Sequence, residues 1–368
     1  MPAHLLQFSS DLRPLVVWNV TNRCNLACKH CYIRAEDHAY GEELTTEEAR
    51  AFIEDIGAMG CPVLLFSGGE PTVREDIYEL AKVAKYLGVR PVLSSNGTLI
   101  TPDIATKLAD AGFEYVGVSI DGLQETHDAF RGCEGAFDGA IRGVRNAAEA
   151  GLRTGARMTV NALNIADLPG VILRVEAEGI PRLCIYHLVY AGRGAEIASL
   201  DTTLEQKREM MCFLVKETKR LHDEGAKIEI LTVDNHADGV YLRDYIKEND
   251  PARLAEVTEL LQMHGGCSAG TKMSNVDPRG NVHACQFWGH RTLGNVLERK
   301  FSEIWSDAND TFLAALRDKT RHLKGKCGRC AYNSLCGGCR IRAEVVTGDM
   351  WEADQACYLT EEEVKGEG

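Results

Sequence analysis

The first half of the chain alternates short apolar runs with longer amphipathic segments, and this alternation restricts the fold more than any other feature. Six apolar runs lie between about residues 14 and 190, at residues 15–18, 63–66, 91–94, 115–120, 157–160 and 183–186. Helical periodicity fills the gaps, for example at residues 46–59 and 76–87. Strands separated by helices predict a parallel sheet with crossover helices. We therefore predict an α/β fold whose chemistry lies at the ends of the strands.

A change of character marks the second part of the chain. Residues 203–264 show mostly helical patterns, interrupted by the apolar run 228–233. From about residue 265, cysteine, glycine and basic residues become frequent and regular periodicity fades. With 368 residues the chain is long enough for a large domain and a smaller one. We place the boundary between residues 240 and 265 and predict one domain at 12–240 and another at 241–368.

Composition excludes several classes of function. The formal net charge of −13 argues against a nucleic-acid partner, because such proteins tend to be basic. No run of about 18 apolar residues predicts a membrane span. The N-terminal residues lack the charged and apolar regions of a secretion signal, so we expect a cytoplasmic protein. The fourteen cysteines then predict metal sites rather than a disulfide framework.

Three closely spaced cysteines follow the first apolar run. Cys24, Cys28 and Cys31 have the spacing C-x-x-x-C-x-x-C. A [4Fe–4S] cluster normally takes four cysteines, so three local ones predict a cluster with one iron open to a ligand. The alternative is a structural zinc knuckle, with His30 as the fourth ligand that zinc requires.

Polar and glycine residues follow the next three apolar runs. Gly68, Gly69 and Glu70 come after the second run, where the glycines would let the backbone approach a ligand closely. Ser95 with Asn96 follows the third run, and Ser119 with Asp121 follows the fourth. An ordinary strand-to-helix turn is the alternative for the glycines, and a helix N-cap is the alternative for Asp121.

Together these motifs resemble the radical S-adenosylmethionine (radical SAM) enzymes. The resemblance implies a partial (β/α)6 barrel in which SAM binds the open iron of the cluster at Cys24, Cys28 and Cys31. It also implies SAM contacts from strand-end residues, and an Arg131 whose guanidinium fork pairs with the SAM carboxylate. The implied contact residues are Gly68, Gly69, Glu70, Ser95, Asn96, Ser119, Asp121 and Arg131.

Seven cysteines in the C-terminal part resemble the SPASM extension of these enzymes, which carries auxiliary [4Fe–4S] clusters. The resemblance implies one complete site at Cys327, Cys330, Cys336 and Cys357. It implies a possible second site at Cys267, Cys285 and Cys339, with His283 and Asp277 as candidates for the missing ligand. We therefore expect one or two auxiliary clusters, with zinc as the alternative for the C-x-x-C pairs. The remaining cysteines, Cys61, Cys133, Cys184 and Cys212, are predicted to be buried apolar side chains.

Residues 186–194, 232–241, 294–296 and 301–305 resemble the tetrapyrrole-modifying branch of the SPASM proteins. The nearest implied reaction removes two acetate side chains from 12,18-didecarboxysirohaem to give Fe-coproporphyrin III in the sirohaem-dependent haem route. The alternatives are removal of propionate side chains in haem d1 synthesis, maturation of a ribosomal peptide, and a non-enzymatic iron–sulfur carrier. Cys267 and Cys285 favour the haem b route, because haem d1 enzymes often lack them.

A tetrapyrrole bears several carboxylates, so its site should offer cationic or imidazole side chains. His187, Tyr190, Arg193 and His236 are the candidates for substrate contact, and His236 could instead bind the substrate iron. Structural hydrogen bonding is the alternative for both histidines. The resemblance also implies an external electron donor of the flavodoxin or ferredoxin type.

Overall fold

In a computed structural model of the chain, which describes residues 13–38 and 41–366, ten strands form one sheet. The N-terminal segment that we assessed for a secretion signal lies outside these ranges. The strands are β1 (Leu15–Asn19), β2 (Val63–Ser67), β3 (Arg90–Ser95), β4 (Tyr115–Ser119), β5 (Arg153–Val160), β6 (Arg182–His187), β7 (Glu229–Val233), β8 (Met273–Val276), β9 (Asn281–His283) and β10 (Gly294–Asn295).

The strand order is β10-β9-β8-β1-β2-β3-β4-β5-β6-β7. Strands β1 to β7 pair as parallel neighbours in chain order, and β8 joins the free edge of β1, also in parallel. The predicted α/β fold with its parallel sheet is thus confirmed, and all six predicted runs form strands. Two further parallel strands flank the predicted six, and one of them, β8, comes from the cysteine-rich part of the chain.

Helices connect the strands and cover the outer face of the sheet. In chain order they are α1 (Thr46–Met59), α2 (Ile77–Tyr86), α3 (Pro102–Asp110), α4 (Gln124–Arg131), α5 (Ala136–Glu149), α6 (Leu168–Ala177), α7 (Leu204–Asp223), α8 (Ala237–Asn249), α9 (Leu254–His264), α10 (Phe301–Trp305), α11 (Thr311–Arg317), α12 (Gly325–Arg329), α13 (Arg340–Thr347) and α14 (Glu361–Lys365). Local sequence explains their starts, since Thr45 and Glu48 form a capping box on α1. None of the helices in the described ranges is both long and apolar enough to cross a membrane.

The core lies between the sheet and these helices. Trp18 on β1 is completely buried. Its ring packs edge-on against Phe52 of α1 at 5.8 Å and lies tilted against Phe66 of β2 at 5.7 Å. Trp18 is therefore part of the core between the sheet and α1. Among the isolated cysteines, Cys61 and Cys184 are buried as predicted. The prediction is wrong for Cys133, which is exposed in the turn after α4.

Candidate active site

Every parallel strand contributes to one central cavity of about 240 Å³. Its wall includes Val17 of β1, Ser67 of β2 and Val233 of β7, together with Met273 of β8. Since residues from both edges of the parallel sheet reach the same space, the sheet curves around the cavity as an open barrel. The predicted site residues on this wall are Cys24, Cys28, Cys31, Gly68, Gly69, Ser95, Asn96, Ser119, Asp121, Arg131, His187 and Arg193.

The thiols of the three-cysteine loop line the cavity, and two of their sulfurs accept hydrogen bonds from backbone N–H groups. Backbone N–H groups of Leu26 and Ala35 donate to the sulfurs of Cys24 and Cys31, at 3.4 and 3.3 Å. Burial, Glu70 and the neighbouring thiols of the loop together raise the pKa of the Cys24 thiol to about 12. Three clustered thiolates are costly in such a place unless a cation compensates them. The donor set therefore fits a bound metal centre.

His30, the fourth ligand of the zinc alternative, packs against other groups. Within residues 13–38 and 41–366, no group of three or more His, Cys, Asp or Glu side chains lies close enough together to hold a single ion. In an iron–sulfur cube each cysteine binds a different iron, so the sulfurs stand farther apart than they do around one zinc. His30 stacks on Phe130 at 4.5 Å, and burial lowers its pKa to about 4.

The glycines after β2 lie directly against the cysteine loop. The N–H of Gly69 donates to the carbonyl of Thr21 at 2.8 Å, and that of Glu70 donates to the carbonyl of Arg23 at 2.9 Å. A Cβ on Gly69 would stand 2.1 Å from the Arg23 carbonyl oxygen, and Gly68 has φ +125°. Only glycine permits this approach, so these residues hold the loop against the strand ends.

Glu70 lies behind the cavity wall, and its completely buried carboxylate is occupied by neighbouring donors. It accepts the N–H of Asn96 at 2.8 Å, the hydroxyl of Ser95 at 2.9 Å and the hydroxyl of Thr72 at 2.7 Å. The Asn96 side chain in turn donates to Asn25 in the cysteine loop at 2.8 Å. Glu70 thus joins the ends of β2 and β3 and orients Asn96 toward the cysteine loop.

Asp121 and Arg131 form an ion pair on the cavity wall. Asp121 accepts the N–H of Thr159 at 2.7 Å and does not cap α4, whose N-cap is Leu123. Arg131 also donates to the sulfur of Cys28 at 3.4 Å, and its Nε is buried without a partner. Burial raises the pKa of Asp121, but Arg131, His30, His127 and the N–H of Thr159 together lower it by more, so the net shift is downward. The pair therefore places one cation between a carboxylate and a cysteine of the loop.

The four substrate candidates fall into different places. His187 is buried on the wall; its Nε2 lies 2.9 Å from Asp238, and its Nδ1 has no partner. Arg193 lies on the wall as well, but its guanidinium donates to the carbonyls of Cys28 and Ala35 at 2.8 and 3.0 Å.

Tyr190 and His236 do not border the central cavity. Tyr190 donates to Asp201 at 2.8 Å and borders a second cavity of about 550 Å³. His236 lies next to His264, with ring centres 6.1 Å apart, and burial lowers its pKa to about 4. The second cavity shares Tyr32, Gln286 and Phe287 with the central one.

Two residues on the cavity wall escaped the sequence analysis. Arg157 points from β5 into the cavity; its guanidinium donates to Ser94, and its Nε is shielded from solvent without a partner. The groups that interact most with its charge are Tyr186, Tyr115 and Cys184 rather than a carboxylate. The sequence signal for Arg157 is its charge within an otherwise apolar run, which can mark a functional side chain. The other is Asp234, which directly follows β7.

The C-terminal cysteines separate into two groups. Cys327, Cys330, Cys336 and Cys357 all line one small enclosed space. Burial raises the pKa of Cys285 well above its usual value, and Cys267 and Cys339 raise it further. Four of the cysteines thus share one space, and the assignment of the groups of four and three to cluster sites stays a prediction.

The predicted candidates for the missing ligand contact other groups. His283 lies 2.7 Å from the carbonyl of Arg291 through Nδ1 and 3.6 Å from Asp277 through Nε2. Asp277 accepts hydrogen bonds from Asn281 and Arg279. Both residues border the second cavity.

A buried ion pair connects the two cysteine groups with the barrel. Arg342 and Asp354 form two hydrogen bonds, at 2.9 and 3.0 Å, and neither side chain is more than 1% exposed. Asp354 also accepts the N–H of Cys339 at 2.7 Å. Arg342 donates to the carbonyls of Leu188 at 3.0 Å and Asp234 at 2.6 Å. One pair of charges thus fixes the cysteine-rich region to the strand ends of the barrel.

Comparisons with known proteins agree with this arrangement. Residues 18–173 match the model of the Radical SAM superfamily, and residues 267–331 match that of SPASM, an iron–sulfur cluster-binding domain. The Fe-coproporphyrin III synthase of Methanosarcina barkeri is 50% identical over 368 residues, which cover 99% of this chain and 92% of that protein. The pre-heme d1 synthase of Dinoroseobacter shibae is 42% identical over 351 residues, 95% of this chain and 87% of that protein. The crystal structure of Streptococcus suis SuiB bound to S-adenosylmethionine superposes with a TM-score of 0.72 at 18% identity, covering 95% of this chain and 78% of that one.

Proposed function

Because the chain belongs to the radical SAM superfamily and carries its SPASM domain, we propose that it removes the two acetate side chains of 12,18-didecarboxysirohaem. The product would be Fe-coproporphyrin III in sirohaem-dependent haem synthesis. The observation that carries this proposal is the 50% identity with an Fe-coproporphyrin III synthase over almost the whole of both chains. The pre-heme d1 synthase is less similar, at 42%.

The cysteine loop and the cavity wall would hold the cofactors. When bound, the cluster and SAM supply a 5′-deoxyadenosyl radical that takes hydrogen from the substrate. Cys24, Cys28 and Cys31 would hold the cluster, in the place where their buried thiols repel one another. Gly68, Gly69, Ser95, Asn96, Ser119, Asp121 and Arg131 would surround SAM, and Glu70 would act from behind by fixing Ser95 and Asn96.

Arg157 is the best candidate to bind a carboxylate of the substrate. It faces the cavity, and within the described ranges no Asp or Glu forms an ion pair with it. A cation in a confined site is stabilised by an anion that accepts hydrogen bonds from its fork. The positive charge of Arg157 would attract a substrate carboxylate into the cavity although the net charge of the protein is negative.

His187 would act on the part of the substrate that reaches the cavity. Asp238 accepts the hydroxyl of Tyr358 at 2.9 Å and lies 2.9 Å from His187 Nε2, so the imidazole is held in one orientation. Its unpaired Nδ1 is then available for a hydrogen bond with a substrate in the cavity. Asp238 is a positioning residue in this scheme.

The second cavity would receive the rest of the macrocycle. Its volume of about 550 Å³ lies in the range of ligand pockets, roughly 300–1,000 Å³, whereas the central cavity is smaller. Tyr32 and Phe287 stand between the two, with ring centres 5.5 Å apart. A tetrapyrrole lying there could reach the central cavity with one edge.

Reductive cleavage of SAM consumes an electron, so the proposal includes an external donor of the flavodoxin or ferredoxin type. We place the reaction in the cytoplasm, where cysteines stay reduced. The −13 net charge speaks against a nucleic-acid partner.

Mass spectrometry of an anaerobic reaction tests the proposal. Reconstituted protein, SAM, a reductant and 12,18-didecarboxysirohaem should give the mass of Fe-coproporphyrin III. A Cys24→Ala variant is the matched control and should give neither product nor 5′-deoxyadenosine. Loss of propionate carbons instead would point to the haem d1 reaction. Formation of 5′-deoxyadenosine with an unchanged tetrapyrrole would show that 12,18-didecarboxysirohaem is not the substrate, and peptides would be tested next.

A further inference from the structure

Arg340 carries a buried positive charge at the start of α13. Its side chain is completely shielded from solvent. The guanidinium donates to the carbonyls of Met350 and Glu352, each at 2.8 Å, and to the carbonyl of Gly338 at 3.4 Å. Since these carbonyls lie on segments before and after α13, they hold the guanidinium in one orientation.

Among the residues that the structure describes, no Asp or Glu forms an ion pair with Arg340. The carboxylates of this region have other cations, since Asp349 pairs with Lys324 at 2.6 Å and Asp354 pairs with Arg342 at 2.9 Å. Carbonyl groups accept hydrogen bonds from Arg340 but do not cancel its charge, and an unpaired buried charge is costly. The position therefore calls for an anion beside the guanidinium.

The guanidinium also contacts a sulfur of the four-cysteine group. Nη2 of Arg340 donates to Sγ of Cys327 at 3.6 Å, and both residues are buried. Gly338 permits this approach, because a Cβ there would stand 2.5 Å from Arg340 Nη2 and 3.1 Å from Cys327 Sγ. The chain thus places an uncompensated cation directly against one of the four cysteines.

The donors around these cysteines fit an iron–sulfur cluster. The four side chains line one enclosed space, as the four ligands of a [4Fe–4S] cube would. Three of the sulfurs accept a backbone N–H at 3.4 Å, from Asp354 to Cys327, from Tyr332 to Cys330 and from Gly338 to Cys336. Such donors stabilise sulfurs that carry negative charge.

The charge of Arg340 bears on the redox chemistry of a cluster at this place. A cluster gains negative charge when it is reduced, so a fixed cation beside it stabilises the reduced form more than the oxidised form. Hydrogen bonds to the sulfurs and the surrounding charge set the reduction potential. Because Arg340 is buried, salt screens its charge little. The neighbouring pair of Arg342 and Asp354 adds no net charge.

We propose that Arg340 raises the reduction potential of the auxiliary cluster at Cys327, Cys330, Cys336 and Cys357 through its charged hydrogen bond to Cys327. Arg340 acts through this ligand and is therefore a positioning residue. The cluster then takes up an electron more readily than it would without the cation. The proposal rests on a cluster at these four cysteines and does not depend on the tetrapyrrole substrate.

A redox titration followed by electron paramagnetic resonance tests the proposal. The full chain carrying Cys24→Ala, Cys28→Ala and Cys31→Ala is the parent, because it lacks the cluster that binds SAM. The signal that Cys330→Ala removes from the parent belongs to the four-cysteine cluster. At a fixed potential, Arg340→Met should lower the ratio of reduced to oxidised cluster about tenfold, which moves the midpoint of a one-electron couple by about 59 mV to more negative values.

Two further variants separate the charge from the packing of this side chain. Arg340→Lys keeps the positive charge and should change the ratio less than Arg340→Met does. Arg329→Met is the matched control, because Arg329 lies on α12 with Cys327 but is more than half exposed and pairs with Glu361 at 2.8 Å. This control should titrate like the parent.

Several results would overturn the proposal. An iron-replete Arg340→Met protein that titrates like the parent would do so, as would an equal change in Arg329→Met. If Arg340→Met loses iron, Arg340→Gln takes its place in the comparison, and loss of iron from both would show that the role is structural. A signal unchanged by Cys330→Ala would place the cluster elsewhere and also refute the assignment. The titration contains no tetrapyrrole, so its outcome is independent of the substrate assay.

Discussion

The buried pair of Arg342 and Asp354 should be the most sensitive structural element outside the cofactor ligands. Arg342→Met strands a carboxylate that keeps only the N–H groups of Cys339 and Ala356. Asp354→Leu strands a guanidinium that keeps the carbonyls of Leu188 and Asp234. Breaking a fully buried pair on one side costs about 3–5 kcal/mol, which is a large share of the roughly 5–15 kcal/mol that stabilises a protein.

A double-mutant cycle separates the pair from its surroundings. The combined variant should lose far less than the sum of the two single losses, because the second substitution removes the charge that the first one strands. Anaerobic urea titration followed by circular dichroism measures the free energy of unfolding, and iron content shows whether the clusters remain. Additivity within about 0.5 kcal/mol, or a single variant that loses less than about 1 kcal/mol, would refute this reasoning.

The pH dependence of the free energy of unfolding, measured for the same variants, gives a second test. Burial raises the pKa of Asp354, but the charge and hydrogen bonds of Arg342 and the N–H groups of Cys339 and Ala356 together outweigh it, so the pKa lies far below its usual range. The stabilisation from such a group is present above the unfolded pKa of about 3.9 and is lost only as the pH falls below it. The difference between wild type and Asp354→Leu should therefore stay constant from about pH 5 to 8.

Four further outcomes are expected. Cys28→Ala should abolish SAM cleavage, and 5′-deoxyadenosine detected by chromatography would contradict the cluster assignment. Cys330→Ala should keep some cleavage but lose tetrapyrrole product, so full product formation would show that the auxiliary site is dispensable. Arg157→Met should weaken tetrapyrrole binding by roughly ten- to a hundredfold, about 1.4–2.8 kcal/mol, in a spectroscopic titration, while Arg157→Lys keeps part of the affinity; equal affinity in Arg157→Met would exclude the contact. Burial lowers the pKa of His236 and His264 to about 4. Between about pH 6.5 and 4 these histidines are therefore protonated in the unfolded chain but not in the folded protein, so the free energy of unfolding in urea should decrease as the pH falls through this range. The decrease should be smaller in a variant with Gln at both positions.

Several roles differ from what the motifs alone indicated. The sequence places Glu70 in a glycine-rich turn that suggests ligand contact, yet its carboxylate is filled by Thr72, Ser95 and Asn96. The charge of Arg193 predicts contact with a substrate carboxylate, whereas its guanidinium donates to the carbonyls of Cys28 and Ala35 in the cysteine loop. In both cases the residue type was informative, but its partners come from segments that no local pattern connects.

Arg157 and Asp234, which the sequence analysis did not select, also depend on contacts that only the folded chain forms. Arg157 lies within an apolar strand, and its proposed role rests on the lack of an Asp or Glu ion pair among the residues that the structure describes. Asp234 is one of many acidic residues in an acidic chain, and it becomes exceptional through a positive φ and an unpaired oxygen. Neither property can be calculated from neighbours in the sequence.

The sequence by itself determined the α/β architecture and the family to which the chain belongs, and it predicted the cysteine loop and the grouping of the C-terminal cysteines. Apolar periodicity and short metal-ligand spacings are local properties, which a chain displays before it folds. Only the tertiary structure decided which carboxylates are saturated and which remain open, where the cations of the cavity find their partners, and how Arg342 joins the two regions. Those outcomes depend on donors and charges that folding brings together from distant segments, and on the loss of water that makes each unpaired group costly.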